Sequence, residues 1–237
     1  FRHRAPALPP LAPETIKASR GGEIGIAPVR GGFHVTGASS TAGANMDARA
    51  LTAPLVLDDG DPKTVWTEDV PGDGRGEVLT ARAGGGGFSI VGLRILPGDA
   101  SSPAAFRSRN RPRRLALSFG ADPGQQIEVE LVEDAVGGAA NFRRPFVARF
   151  SRPIVSACMT VVVREVIQGA AGGRENVTAI SDLEVITELE GRQGAAALVR
   201  RVAETRSCEA LVPALVALGD SALLPTCLLY TSPSPRD

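Results

Sequence analysis

Through the middle of the chain, apolar residues recur at every second position, in short runs broken by glycine and proline. That is the period of a strand with one buried face. Residues 32–40 (GFHVTGASS) set Phe33, Val35 and Gly37 against His34 and Thr36 and read as a first strand. Residues 77–80 (EVLT), 88–96 (FSIVGLRIL), 115–120 (LALSFG), 127–132 (IEVELV), 143–150 (RRPFVARF), 156–166 and 178–189 (TAISDLEVITEL) read as further strands. Val161, Val162 and Val163 form an unbroken apolar run, expected to be covered on both faces. Strands at regular spacing with Gly/Pro turns between them fit a mostly β sandwich.

The breaks and ends read differently. Residues 1–30 are proline-rich and read as a linker, with one short strand at 23–26. Glycines 84–87 and residues 169–173 are expected to be loops. Residues 97–114 (PGDASSPAAFRSRNRPRR) read as a long loop between strands, whose arginines are solvated or pair with acidic neighbours; a phosphate patch is the sharper alternative. Past residue 193 the period changes: 195–203 (AAALVRRVA) and 210–218 (ALVPALVAL) have helical spacing, and Gly219 with Asp220 would stop the second helix. Residues 193–226 resemble the opening of HEAT-type repeats, in which helix pairs stack and one pair cannot bury its own apolar face. A helical linker docked on the sandwich is the simpler alternative. Residues 227–237 (CLLYTSPSPRD) break with what precedes them and resemble a translated sequencing adapter. With Phe1 in place of an initiating methionine, the chain is expected to be a piece of a longer protein.

The densest stretch is residues 57–76 (LDDGDPKTVWTEDVPGDGRG). Asp59-Gly60 and Asp61-Pro62 are turn dipeptides, and 70–74 (VPGDG) turns the chain again. Between them stands the only tryptophan, Trp66, flanked by β-formers and expected to be core rather than a sugar-stacking ring. The spaced order D-G-D-P-K-T-x-W followed by P-G-D-G-x-G-E resembles the signature of the discoidin-like, NADase-type glycan-binding domain family, relatives of the coagulation factor V/VIII type C domains. The resemblance runs from Phe33 to Leu189, within a domain placed at 31–190. It implies a galactose-binding-like β-sandwich of jelly-roll type that attaches a larger protein to a ligand, often sugar. It also implies that residues 48–57 are partly helical or irregular, and that the Asn110-Arg111 loop at one end of the sandwich helps form a ligand surface. The chain departs from the family in having Val78 where an aromatic follows the glutamate.

Composition removes several classes of function. Lys+Arg and Asp+Glu number 26 each, so no global field draws in nucleic acid. Cys158, Cys208 and Cys227 show no metal-type spacing, and Cys158 reads as a small buried hydrophobe. No apolar run is long enough to span a membrane. His34 stands without a second metal-type neighbour and reads as a surface histidine. No G-x-S-x-G, H-E-x-x-H or phosphate-binding G-x-x-x-x-G-K occurs, so no enzyme is expected in this chain.

Two sets of residues remain as candidates. Asp59, Asp61 and Thr64 offer hard oxygen donors within six residues, and related sandwiches commonly close a calcium site with an acid on the last strand, where Asp182 lies. Such an ion would be structural; side chains that merely cap the turns are the alternative. Lys63, Glu68, Asn110 and Arg111 are the expected ligand contacts, polar groups on loops able to bond vicinal hydroxyls. The expected role is a non-catalytic carbohydrate-binding or adhesive module of an exported bacterial protein. A protein-interaction scaffold with helical repeats is the alternative.

Overall fold

Alternating runs become strands where another layer can cover their apolar face. In the computed structural model ten strands do so among the described residues. They are β1 (Glu14–Arg20), β2 (Phe33–Ala38), β3 (Trp66–Thr67), β4 (Val78–Ala83), β5 (Phe88–Pro97), β6 (Arg111–Phe119), β7 (Gln126–Leu131), β8 (Phe146–Ser156), β9 (Cys158–Ile167) and β10 (Ala179–Thr187). One helix, α1 (Pro103–Ser108), lies between β5 and β6. The structure describes residues 14–21, 33–41, 56–57, 59–83, 87–120, 126–133, 141–170, 177–189, 196 and 199–200.

The strands follow one another in a single curled sheet, ordered β2-β4-β9-β6-β7-β1-β8-β5-β10-β3. Every pairing between strands is antiparallel except that of β1 with β7. β1 is the fold's corner. Glu14 to Ala18 pair with β7, while Ser19 and Arg20 pair with Val147 and Phe146 of β8. A strand that changes partners along its length lets one half of the sheet fold over the other. The faces meet through Phe33 of β2 and Phe88 of β5, with ring centroids 6.3 Å apart, and through Phe119 of β6 and Phe150 of β8, edge to face at 5.7 Å. Phe88, Leu93, Leu115, Val161 and Leu183 are fully or almost fully buried between them.

The mostly β expectation holds, with four differences. The sheet begins at Glu14, inside the stretch expected to be a linker, because Ile16 and Ala18 pack inward while Thr15, Lys17 and Ser19 face out. The strand expected at 23–26 lies outside the described residues. The loop expected over 97–114 contains α1, whose first turn is capped by Ser102 Oγ accepting from Ala105 N–H at 3.1 Å, with Pro103 just inside the start; β6 then begins at Arg111. β8 runs on to Ser156, although 150 was its expected end. Within the triple valine, Val161 and Val163 are buried and Val162 is only half-buried, so β9 has one inner face.

Of the segment expected to be helical repeats, 193–226, only Ala196, Val199 and Arg200 are described. Val199 is buried and joins the same hydrophobic cluster as the sandwich. Residues 227–237 lie outside the described residues.

Candidate functional site

Strand direction gathers several connections at one end of the sheet. These are residues 68–77 between β3 and β4, residues 98–110 around α1, residues 132–133 and 141–145 between β7 and β8, and residues 168–170 and 177–178 between β9 and β10. Asn110 buckles two of them together. Its N–H donates to Val177 O at 3.0 Å, its carbonyl accepts from Ala179 N–H at 3.0 Å, and its Oδ1 accepts from Gly169 N–H at 2.8 Å.

The tryptophan and glycine signature builds the frame of residues 68–77. Trp66 is fully buried, and its indole N–H donates to Ser40 O at 3.0 Å. Ser39 and Ser40 hydroxyls donate to Glu77 Oε2 at 2.5 and 2.6 Å, and Asp69 N–H donates to Ser40 Oγ at 3.1 Å. Glu68 accepts from Val70 N–H at 2.8 Å and from Thr178 N–H at 3.3 Å. Gly74 has φ +76°, and a Cβ there would lie 2.6 Å from Thr178 Cβ. The frame therefore needs glycine both for the backbone angle and for the room.

What the frame presents is a polar cleft of about 240 Å³, lined by Asp73, Arg75, Glu165, Val166 and Gln168. Arg75 Nε pairs with Asp73 Oδ2 at 2.9 Å, and Gln168 Nε2 donates to the same oxygen at 3.3 Å. Arg114 Nη1 donates to Glu165 Oε1 at 2.9 Å. The side chains of Arg75 and Glu165 are 62% and 43% exposed, so both can reach a ligand. Partial burial pushes the Asp73 carboxyl up, but the hydrogen bonds and charge of Arg75 outweigh it and hold the group below its ordinary value. At neutral pH the cleft therefore offers carboxylate acceptors, a guanidinium donor and an amide. That mixture can bond a polyhydroxylated molecule and contains no nucleophile paired with a base.

The expected ligand contacts fall elsewhere. Lys63 is exposed on the preceding turn and does not line the cleft. Glu68 is 0% exposed and serves the frame. Asn110 is likewise fully buried, its amide oxygen used internally. Arg111 grips Glu133 through two bonds of 2.8 Å and stacks over Phe106 at 4.7 Å. As placed, these last three are bonded so as to hold the loops. The neighbouring arginines follow the paired alternative: Arg109 meets Asp99 at 3.2 Å, and Arg114 meets Glu128 at 3.1 Å.

The expected calcium ligands also separate. Thr64 Oγ1 donates to Asp59 at 2.8 to 2.9 Å, Asp61 N–H donates to Asp59 Oδ1 at 2.8 Å, and Lys63 N–H donates to Asp61 Oδ1 at 2.9 Å. These are turn caps. Asp182 is buried in β10 opposite Leu96. Among the described residues no three His, Cys, Asp or Glu side chains gather to hold a metal. None of the cleft residues Asp73, Arg75, Glu165 and Gln168 was among the expected contacts, since the first two read as turn chemistry, Glu165 as part of a strand and Gln168 as the step between that strand and a loop.

No curated protein matches the chain in sequence. Among solved structures it is similar to the family 32 CBM from Clostridium perfringens NanJ in complex with galactose, at 14% identity over 67% of this chain and 96% of that one, TM-score 0.40. It is similar to the CBM32-1 and CBM32-2 domains of Clostridium perfringens ZmpB in complex with GalNAc, at 7% identity over 74% of this chain and 40% of that one, TM-score 0.47. It is also similar to arabinofuranosyltransferase AftD from Mycobacteria, at 18% identity over 64% of this chain and 10% of that one, TM-score 0.41. The family model for the NAD glycohydrolase translocation F5/8 type C domain matches residues 30–186, nearly the span over which the signature was followed. The chain belongs to the NAD glycohydrolase translocation F5/8 type C domain family.

Proposed function

We propose that this chain is a non-catalytic carbohydrate-binding or adhesive module of a larger, exported bacterial protein, and that the polar cleft at the loop end of the sheet is where ligand sits. The observation that carries it is the convergence of exposed Arg75 and Glu165 with Asp73 and Gln168 in one concave site, between the loop that the family signature frames and the end of β9. Alternating charged acceptors and donors suit vicinal hydroxyls, and rigid strands on both sides hold them in place. Membership of the F5/8 type C-like family supports attachment as the role.

A glycan-array screen of the whole chain tests this. Selective binding is expected, weakened by roughly tenfold or more in Asp73→Asn or Arg75→Ala, the worth of a hydrogen bond to a charged group. Lys63→Ala should bind as the parent does. Selective binding that neither cleft variant changes would remove the cleft as the site. A silent array from folded protein would favour the protein-scaffold reading, for which Val155, 73% exposed at the end of β8, is the most prominent apolar contact among the described residues.

A further inference from the structure

Glu68 is a carboxylate placed where carboxylates are costly. It is 0% exposed, lies behind the cleft loop, and takes two backbone N–H groups from different parts of the chain. Val70 N–H belongs to the loop that carries Asp73 and Arg75; Thr178 N–H stands at the start of β10. Thr178 completes the link by donating its hydroxyl to Asp73 O at 2.7 Å. The charges that act on Glu68 are those of Glu77, just before β4, and Asp69 on its own segment, both acids. From the β10 side Thr178 contributes an amide and no charge. Gly74 packs against it so closely that a Cβ there would lie 3.3 Å from Glu68 Cγ.

We propose that Glu68 is the positioning residue of the cleft, latching the loop of residues 70–76 to the start of β10 while ionised and releasing one end of that latch when it takes a proton. An ionised carboxylate is acceptor-only and serves both amides. A protonated one turns one oxygen into an O–H donor and leaves it a much weaker acceptor for the N–H it faces. One amide is then held weakly, and one of the bonds that place Asp73 and Arg75 loosens. Desolvation by burial, together with the repulsion of Glu77 and Asp69 and against the pull of the two amides, raises the group above the ordinary glutamate range. The release therefore falls at a higher pH than an ordinary glutamate would give. Its effect on ligand rests on the cleft reading above; the latch itself does not.

The test is an amide titration of the nitrogen-15-labelled chain, without ligand, from neutral into mildly acidic pH. The Val70 and Thr178 amide resonances should shift with one shared midpoint above the ordinary glutamate range. Below that midpoint, protection of the loop amides from exchange should fall by roughly five- to tenfold, the worth of about one hydrogen bond. Glu68→Gln should abolish the shared midpoint. Glu77→Gln, which leaves the latch and removes one repelling charge, should lower the midpoint while keeping it shared, and serves if Glu68→Gln does not fold. Independent midpoints at the two amides, or a shared one that survives Glu68→Gln, would overturn the latch. Because no ligand is present, an empty glycan array and a failed latch are separate results.

Discussion

At the scale of single residues, the family signature divides into side chains that build and side chains that remain available. Gly74 is the clearest builder, since positive φ and the contact with Thr178 act together there. Gly76 also has positive φ, +91°, but nothing lies within 4 Å of its would-be Cβ. Gly76→Ala should therefore cost about 1 kcal/mol of backbone strain, and Gly74→Ala at least ~2 kcal/mol more from overpacking. Urea unfolding of the two variants measures the difference; equal losses would mean that the Thr178 contact yields without cost. Asp59 and Asp61 are builders of a smaller kind. With both Asp59 oxygens and Asp61 Oδ1 engaged in turn caps, added calcium should leave the melting temperature unchanged. A rise that disappears in Asp59→Ala would restore the ion.

At the scale of elements, legibility in the sequence followed locality. β5, β6, β9 and β10 were visible because alternation, flanking turns and burial all belong to the same short window. Trp66 was placed correctly for the same reason. β1 was hidden, because its inward positions are Glu14, Ile16, Ala18 and Arg20, only two of them apolar, beside a proline-rich run. The cleft was hidden because Asp73 and Glu165 come together through the pairing of β4 with β9, where Val78 stands opposite Val162. No local pattern announces a register formed across such a separation. The position of β1 makes its own prediction. It lies outside the family match, yet it joins the two halves of the sheet. The chain lacking residues 1–21 should lose cooperative thermal unfolding, because β7 and β8 would each expose an unpaired edge. Retention of a sharp transition by circular dichroism would show that the halves close without their corner.

At the scale of the whole molecule, the charges are balanced in number but not in environment, and stability should depend on pH in two opposed limbs. Glu133 lies between Arg111 and Arg20, and Arg20 is 4% exposed at its side chain and stacked over Phe146 at 4.3 Å. Burial pushes Glu133 up, but the bonds and charges of Arg111 and Arg20 outweigh it and hold its carboxyl below the ordinary value. A depressed carboxyl contributes stability that is present above the unfolded pKa and lost as pH falls through the folded one, so Glu133 steepens the acid limb. Glu68 has the opposite sign. Its folded pKa is raised, so its contribution is complete below the unfolded value and lost as pH rises through the folded one. Glu68 should thus move the stability maximum toward acid, with a decline as pH rises through its folded value. In Glu68→Gln that decline should flatten while the acid limb stays. In Glu133→Ala the acid limb should flatten, and where Glu133 is ionised in the parent stability should drop by about 3–5 kcal/mol, because two guanidinium groups are left without their shared carboxylate. The two proteins should converge in acid. Denaturant midpoints collected across pH for the parent and both variants separate the limbs. A stability difference between parent and Glu68→Gln that does not fall as pH rises would show that the Glu68 carboxyl is not held above its ordinary value, and would remove the reason for its latch to open.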